Sequence, residues 1–261
     1  MSFPRALILR AAGTNCDLET KIACEKVGFW ADVHHINRLL ERPELLRNYH
    51  LLIVPGGFSY GDDLGAGKIF GTEIAARLLA GLREFVRSGM LVLGICNGFQ
   101  VLVRSRLLPD PFASGSPAVS LAQNDSARFE DRWVCLKVCS TKSEFLKGEE
   151  VIQLPVAHGE GKFVCRGPEV LRSLEENGQL VLKYVDPEGR EAKYPWNPNG
   201  SVAGVAGICD PTGRVLGLMP HPERFQDAVN HPQWTRMGKD LRPDGLLFFR
   251  NAYEYVKGRL A

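Results

Sequence analysis

The sequence predicts an α/β protein with a mostly parallel sheet flanked by helices and added β structure in its second half. Three observations carry that prediction. Short apolar runs alternate with helical patterns through the first half, as βαβ units do. The run LLIV (51–54) stops at Pro55 and opens into the loop PGGFSYGDDLGAG, with five glycines, before helical periodicity resumes. Beyond residue 105 the regular alternation gives way to short strand-like runs separated by turn signals such as DPEG and DPTG.

Taken in order, ALILR (6–10) reads as a strand and AAGTNCD as a polar loop. A helix over 18–27 follows, with Leu18, Ile22, Ala23 and Val27 at helical spacing. ADVHHI (31–36) is the second strand and LLIV the third. Residues 72–88 place Ile74, Leu78, Leu82 and Phe85 on one face, as a helix covering a sheet requires. MLVLGI (90–95) is the fourth strand. After the Pro/Ser-rich stretch LPDPFASGSPA, further strands are expected at RWVCLKV, VIQLPVAH, QLVLKYV, SVAGVAGIC and RVLGLMPH, and GLLFFRNAYEYVKGRL closes the chain as a helix.

At 261 residues, 44% hydrophobic and 24% charged, the chain can bury a sizeable core, and it is expected to form a single domain over 1–261. The formal charge of +2, with Lys and Arg scattered, gives no footprint for nucleic acid or an anionic bilayer. No window approaches the ~20 apolar residues of a spanning helix, so a cytoplasmic protein is expected. Seven cysteines make an odd set without disulfide-framework spacing, and neither close pair, Cys16/Cys24 or Cys135/Cys139, is joined by a second zinc-finger pair. No metal is expected.

The chemistry-bearing residues lie at strand ends. In LVLGICNGFQVLV (91–103) an apolar strand runs into a helix, with Cys96 at the turn and Gly94 and Gly98 two residues either side. Small residues there let strand and helix approach while the central side chain projects, the logic of a nucleophile elbow. The helix dipole and free N–H groups favour a thiolate at that point. In LMPHPER (218–224), His221 and Glu223 stand two apart around Pro222; in extended backbone they share a face, so His221 can serve as base and Glu223 can orient it. With the glycine-rich loop supplying N–H donors, nucleophile, base, orienter and oxyanion site are all present.

At these residues the sequence resembles the class I (triad) glutamine amidotransferases, a flavodoxin-like family, and within them the glutaminase subunits of phosphoribosylformylglycinamidine synthases. GTNCD (13–17), VPGGFSYGDDLGAG (54–67), GICNGFQ (94–100), PVAHGEGKF (155–163), NPNGS (197–201) and MPHPER (219–224) carry the resemblance across nearly the whole chain. It implies that Cys96 attacks the side-chain amide of glutamine and that His221 moves the protons. Asn97 and either Gly57 or Phe58 would stabilise the oxyanion through backbone N–H groups. Gln100 and His158 would hold the glutamine backbone or close the pocket. It further implies no cofactor in this chain, with ATP and Mg2+ used by a larger synthetase subunit that takes the ammonia to make formylglycinamidine ribonucleotide in purine biosynthesis, and a small third subunit in the complex.

Other features are read as structural. GAGKI (65–69) is not a Walker A loop, because Asp62 and Ile69 stand where Gly and Ser or Thr are required; it is expected to enter a helix or face a subunit. Cys16 has no His-x-Glu partner left to it. His34, His35, His50 and His231 lack motif context. The stretches 109–118 and 226–243 look altered relative to the family's compact form and bear on docking. An idle domain of the same fold would need no His221 and Glu223 beside Cys96; another glutamine amidotransferase would lack GGFSYGD and PVAHGEG.

Overall fold

The computed structural model describes residues 3–62, 64–148, 151–238 and 241–260. Asp63 of the glycine-rich loop and Lys239 and Asp240 of the 226–243 stretch lie outside the described residues, as do the chain ends of the 1–261 span. The chain runs β1 (Arg5–Arg10), α1 (Asp17–Val27), β2 (Trp30–His35), α2 (Ile36–Glu41), β3 (Leu51–Val54), α3 (Lys68–Arg77), α4 (Leu79–Arg87), β4 (Leu91–Ile95) and α5 (Asn97–Arg104). It continues through β5 (Val119–Gln123), β6 (Glu130–Val138), β7 (Val151–His158), β8 (Glu160–Cys165), α6 (Pro168–Glu176), β9 (Leu180–Val185), β10 (Val205–Cys209), β11 (Val215–Leu218), α7 (Trp234–Met237) and α8 (Leu246–Leu260).

Nine strands form one sheet in the order β2-β1-β3-β4-β11-β10-β9-β6-β7, and β5 pairs with β8 apart from it. The first five are parallel and the last four join antiparallel, so the sheet is the expected α/β core with a β extension. β3, β4, β10 and β11 are buried along their whole length, which is why they read as unbroken apolar runs. Where one face of a strand is wetter, alternation returns: β7 switches between buried and partly exposed residues at every step but its first.

Several expectations are corrected. The buried side of α1 is Asp17, Thr20, Ala23 and Cys24, while Leu18 and Ile22 are exposed. Small residues let this helix lie close to its neighbours, and apolar periodicity does not mark them. The 72–88 helix is two, α3 and α4, because Leu78 leaves helical geometry at φ −120 and ψ −11; Ile74, Leu78, Leu82 and Phe85 are nevertheless all buried together. SVAGVAGIC begins as a 3-10 turn with Ala203 at φ 51 and becomes a strand only at Val205. RVLGLMPH is a strand only to Leu218, and His221 leads into a 3-10 turn over Pro222–Arg224. α2, α6, β5 and β8 were not expected.

Candidate active site

The strand order reverses between β1 and β3, the switch point outside whose carboxyl ends open α/β sheets bind ligands. The loop after β1 carries Cys16, that after β3 is the glycine-rich loop, β4 ends just before Cys96, and β11 ends before His221. Because β4 lies between β3 and β11, the cysteine is placed between the glycine-rich loop and the histidine by sheet order alone.

Cys96 adopts φ 51 and ψ −107, a conformation L-residues avoid, and its N–H donates to Leu218 O at 2.8 Å. The glycines make this turn possible. A Cβ on Gly98 would stand 1.8 Å from Val54 O, and one on Gly94 would meet Leu102 Cδ1 at 2.6 Å. The thiol contacts Ala157 O at 3.7 Å.

His221 and Glu223 are buried, with Nδ1 and Oε1 2.6 Å apart. The backbone that achieves this is a tight turn rather than extended chain, with Pro222 at its first position. His221 N–H also donates to Pro155 O at 2.8 Å, tying the turn to β7. Burial works against charge on the imidazole; Glu223, Cys96 and Cys16 outweigh it and hold its pKa well above the ordinary histidine value. Nδ1 is taken by the carboxylate, and Nε2 has no hydrogen-bond partner among the described residues.

Cys16 is also part of this cluster. Its sulfur lies 4.0 Å from His221 Nδ1, and Arg224 Nη2 donates to it at 3.2 Å. Burial pushes the thiol up to about 11. Cys16, His221 and Glu223 thus gather sulfur, nitrogen and oxygen within 4.8 Å of one another, a donor set zinc accepts. The 2.6 Å contact is nonetheless too short for two ligands each about 2.0–2.2 Å from a tetrahedral ion, and the Arg224 guanidinium opposes a further cation. The cluster is built to hold a proton.

A cavity of about 220 Å³ opens beside Cys96, lined in part by Gly57, Phe58, Gln100, Phe129, His158 and Glu160. That volume is below the roughly 300–1,000 Å³ of pockets for drug-sized ligands and suits a small metabolite. Gly57 has φ +145, and a Cβ there would meet Asn15 N, Gly13 O and Thr14 Cα at 2.8 Å. Phe58 N–H is already committed to Gly13 O at 2.9 Å, which leaves Gly57 as the better placed loop donor. Asn97 begins α5, where backbone N–H groups lack intrahelical acceptors. Its side chain braces the loop, accepting from Ser59 N at 3.2 Å and donating to Asp62 Oδ1 at 3.2 Å and Gln100 Oε1 at 3.0 Å. Gln100 Nε2 donates to Glu160 O at 2.5 Å, so both its polar atoms hold the pocket wall.

His158 is buried, and burial first, then His221, pulls its pKa down to about 3. Asn124 donates through Nδ2 to Arg128 O and His158 O, so its Oδ1 must accept from His158 Nδ1 at 3.2 Å. Nε2 is therefore the bare nitrogen of a neutral ring, without a hydrogen-bond partner among the described residues.

GAGK enters α3 as expected, with Gly67 as its cap; Asp62 Oδ1 accepts from Gly67 N, so a carboxylate occupies the place an anion would need. Cys16, read from the sequence as structural, lies against His221, and Glu160, whose carboxylate accepts from Ala66 N at 3.3 Å, is not singled out by the sequence analysis. Glu160 was visible as the acidic residue of HGEG.

The profile of the CobB/CobQ-like glutamine amidotransferase domain matches residues 3–256. The chain is 44% identical over 259 residues to the phosphoribosylformylglycinamidine synthase subunit PurQ of Dehalococcoides mccartyi, covering 98% of this chain and 99% of that one. It is 41% identical over 265 residues to the same subunit of Methanococcus maripaludis, covering 97% of each. Among solved structures, PurLQS from Thermotoga maritima superposes with a TM-score of 0.74 at 31% identity, covering 97% of this chain and 99% of the matched chain. The chain therefore belongs to the CobB/CobQ-like glutamine amidotransferases and, within them, to the family of phosphoribosylformylglycinamidine synthase PurQ subunits.

Proposed function

We propose that this chain, acting as one domain over 1–261, hydrolyses glutamine through a Cys96-His221-Glu223 triad and hands the ammonia to a larger synthetase subunit. The single observation that carries the reading is the elbow: Cys96 is held at positive φ on the strand between the glycine-rich loop and the buried His221–Glu223 pair. His221 Nε2 takes the Cys96 proton, and the sulfur attacks the carboxamide carbon. N–H groups of Gly57 and Asn97 stabilise the oxyanion. The imidazolium then protonates the departing nitrogen, so ammonia leaves and a γ-glutamyl thioester remains; water attacks it and returns the thiol and glutamate. His158 offers an acceptor within the pocket, and Gln100 and Phe58 form its wall.

The chain's own residues need no metal or cofactor for these steps. ATP and Mg2+ are assigned to the synthetase, which converts formylglycinamide ribonucleotide to formylglycinamidine ribonucleotide in purine biosynthesis, with a small third subunit completing the complex. Likeness to PurLQS supports the partnership. Among the described residues no helix is long and apolar enough to cross a membrane, which fits a cytoplasmic enzyme.

Glutamate release from glutamine, measured for wild type and Cys96→Ala with and without synthetase, ribonucleotide and Mg-ATP, tests the reading. Loss of Cys96 is expected to lower turnover by about 10³-fold or more, and the loaded synthetase is expected to raise the wild-type rate. Cys96-dependent turnover indifferent to the synthetase would sink the purine assignment; no turnover under any condition would favour an idle domain.

A further inference from the structure

His221 is flanked by two thiols: Cys96, whose charge acts on the ring, and Cys16, whose sulfur lies 4.0 Å from Nδ1. Cys16 is fully buried, and Gly56 backs both it and the imidazole so tightly that a Cβ there would stand 2.8 Å from His221 Cε1 and 3.1 Å from Cys16 Sγ. The thiol donates its hydrogen to Asn15 Oδ1 at 3.2 Å. Its lone pairs are then free to accept from Arg224 Nη2 at 3.2 Å, while Arg224 Nε is held by Glu19 Oε1 at 3.0 Å. Glu223 has one oxygen on His221 and the other, Oε2, buried without a hydrogen-bond partner among the described residues. The Arg224 guanidinium lies within reach of the Glu223 charge, yet its hydrogen bonds go to Cys16 and Glu19.

We propose that Cys16 is a positioning residue for the glutaminase reaction: its sulfur bridges Arg224 to the edge of His221 and keeps the guanidinium off Glu223, leaving that carboxylate's charge to His221 Nδ1. The inference rests on the triad reading above. Without the sulfur, Arg224 swings onto Oε2, the Glu223–His221 bond weakens, and the imidazolium loses stabilisation. The other charged or titratable groups facing His221 are Cys96 at the elbow, His158 on β7 and Glu19 on α1 through Arg224, and none of them changes in the test.

The test follows the His221 imidazole through a pH titration by NMR, assigned with His221→Gln, alongside the pH profile of glutamine kcat and KM. Cys16→Ala is expected to lower the His221 pKa by roughly half to one unit, move the alkaline limb of the kcat profile down by the same amount, cut kcat several-fold and leave KM within about twofold. Cys16→Ser, which still bridges Asn15 and Arg224, is expected to restore most of both. Adding Arg224→Gln to Cys16→Ala removes the intruding charge and is expected to bring the titration back. A His221 titration that stays put in Cys16→Ala, or that remains shifted in the double variant, overturns the proposal and leaves Cys16 as packing. If wild type lacks Cys96-dependent turnover while the titrations move as stated, the triad reading fails, and what stands is that Cys16 keeps Arg224 off the His221–Glu223 pair.

Discussion

Two histidines in one buried cluster carry opposite shifts, and the contrast follows from their partners. His221 has a carboxylate on Nδ1; His158 has only the neutral amide of Asn124, in equal burial and beside the first ring. The folded His158 pKa of about 3 lies below its ordinary 6.5, so between those values the unfolded chain binds more protons than the folded one. Stability is present in full above the unfolded pKa and is lost as pH falls through the window, by at most about 1.4 kcal/mol per pH unit. His158→Gln is expected to abolish that slope: urea midpoints of wild type and variant should converge as pH drops from 6.5 toward 4. Parallel midpoints would mean His158 is not the group that titrates. The sequence made both histidines visible through their motifs and put Glu223 beside His221, but it did not show the depth of burial that opposes charge on both rings, nor Asn124, far away in the chain, on His158. Cys16 has no second His-x-Glu of its own in the sequence, whereas the sheet brings it to within 4.0 Å of His221, the base proposed for Cys96.

The elbow is the element whose sequence signature and geometry coincide, since Gly-x-Cys-x-Gly marks in five residues the close approach of α5 to β3 and β4. Gly98 faces Val54 O so closely that a methyl group there forces α5 away from β3. Gly98→Ala is expected to cost about 1–3 kcal/mol of stability and, by tilting the start of α5, to lower kcat for glutamine by at least tenfold, measured by denaturant unfolding and steady-state kinetics. Retained kcat at reduced stability would show that the elbow tolerates the displacement. Elements governed by longer-range contacts were less legible. α3 and α4 keep one buried face across a break that periodicity alone does not register. His221 and Glu223 meet through a 3-10 turn, so the i to i+2 argument reached the right pair through the wrong backbone.

Across the whole molecule, the antiparallel extension reaches back to the site through NPNGS. Asn199, fully buried, donates to Gly161 O at 2.9 Å and accepts from Ser201 Oγ at 2.7 Å, while Ser201 Oγ also accepts from Phe163 N at 2.9 Å. Asn199 O takes the N–H of Asp125, whose neighbour Asn124 holds His158. This strap clamps the connection from His158 to Gly161 between β7 and β8, and that connection in turn presents Glu160 O to Gln100 and carries one wall of the pocket. In sequence the motif is a family marker without a mechanism, because Gly161, Phe163 and Asp125, which it holds, lie far from it in the chain. Asn199→Ala leaves Gly161 O and Ser201 short of partners and is expected to cost about 1–3 kcal/mol. The loosened wall holds substrate less well while the elbow and the His221–Glu223 pair, fixed by other strands, stay in place. Glutamine KM is therefore expected to rise several-fold with kcat within about twofold, read in steady-state assays with the loaded synthetase; a fall in kcat at unchanged KM would mean that the strap acts on the elbow instead of the pocket wall.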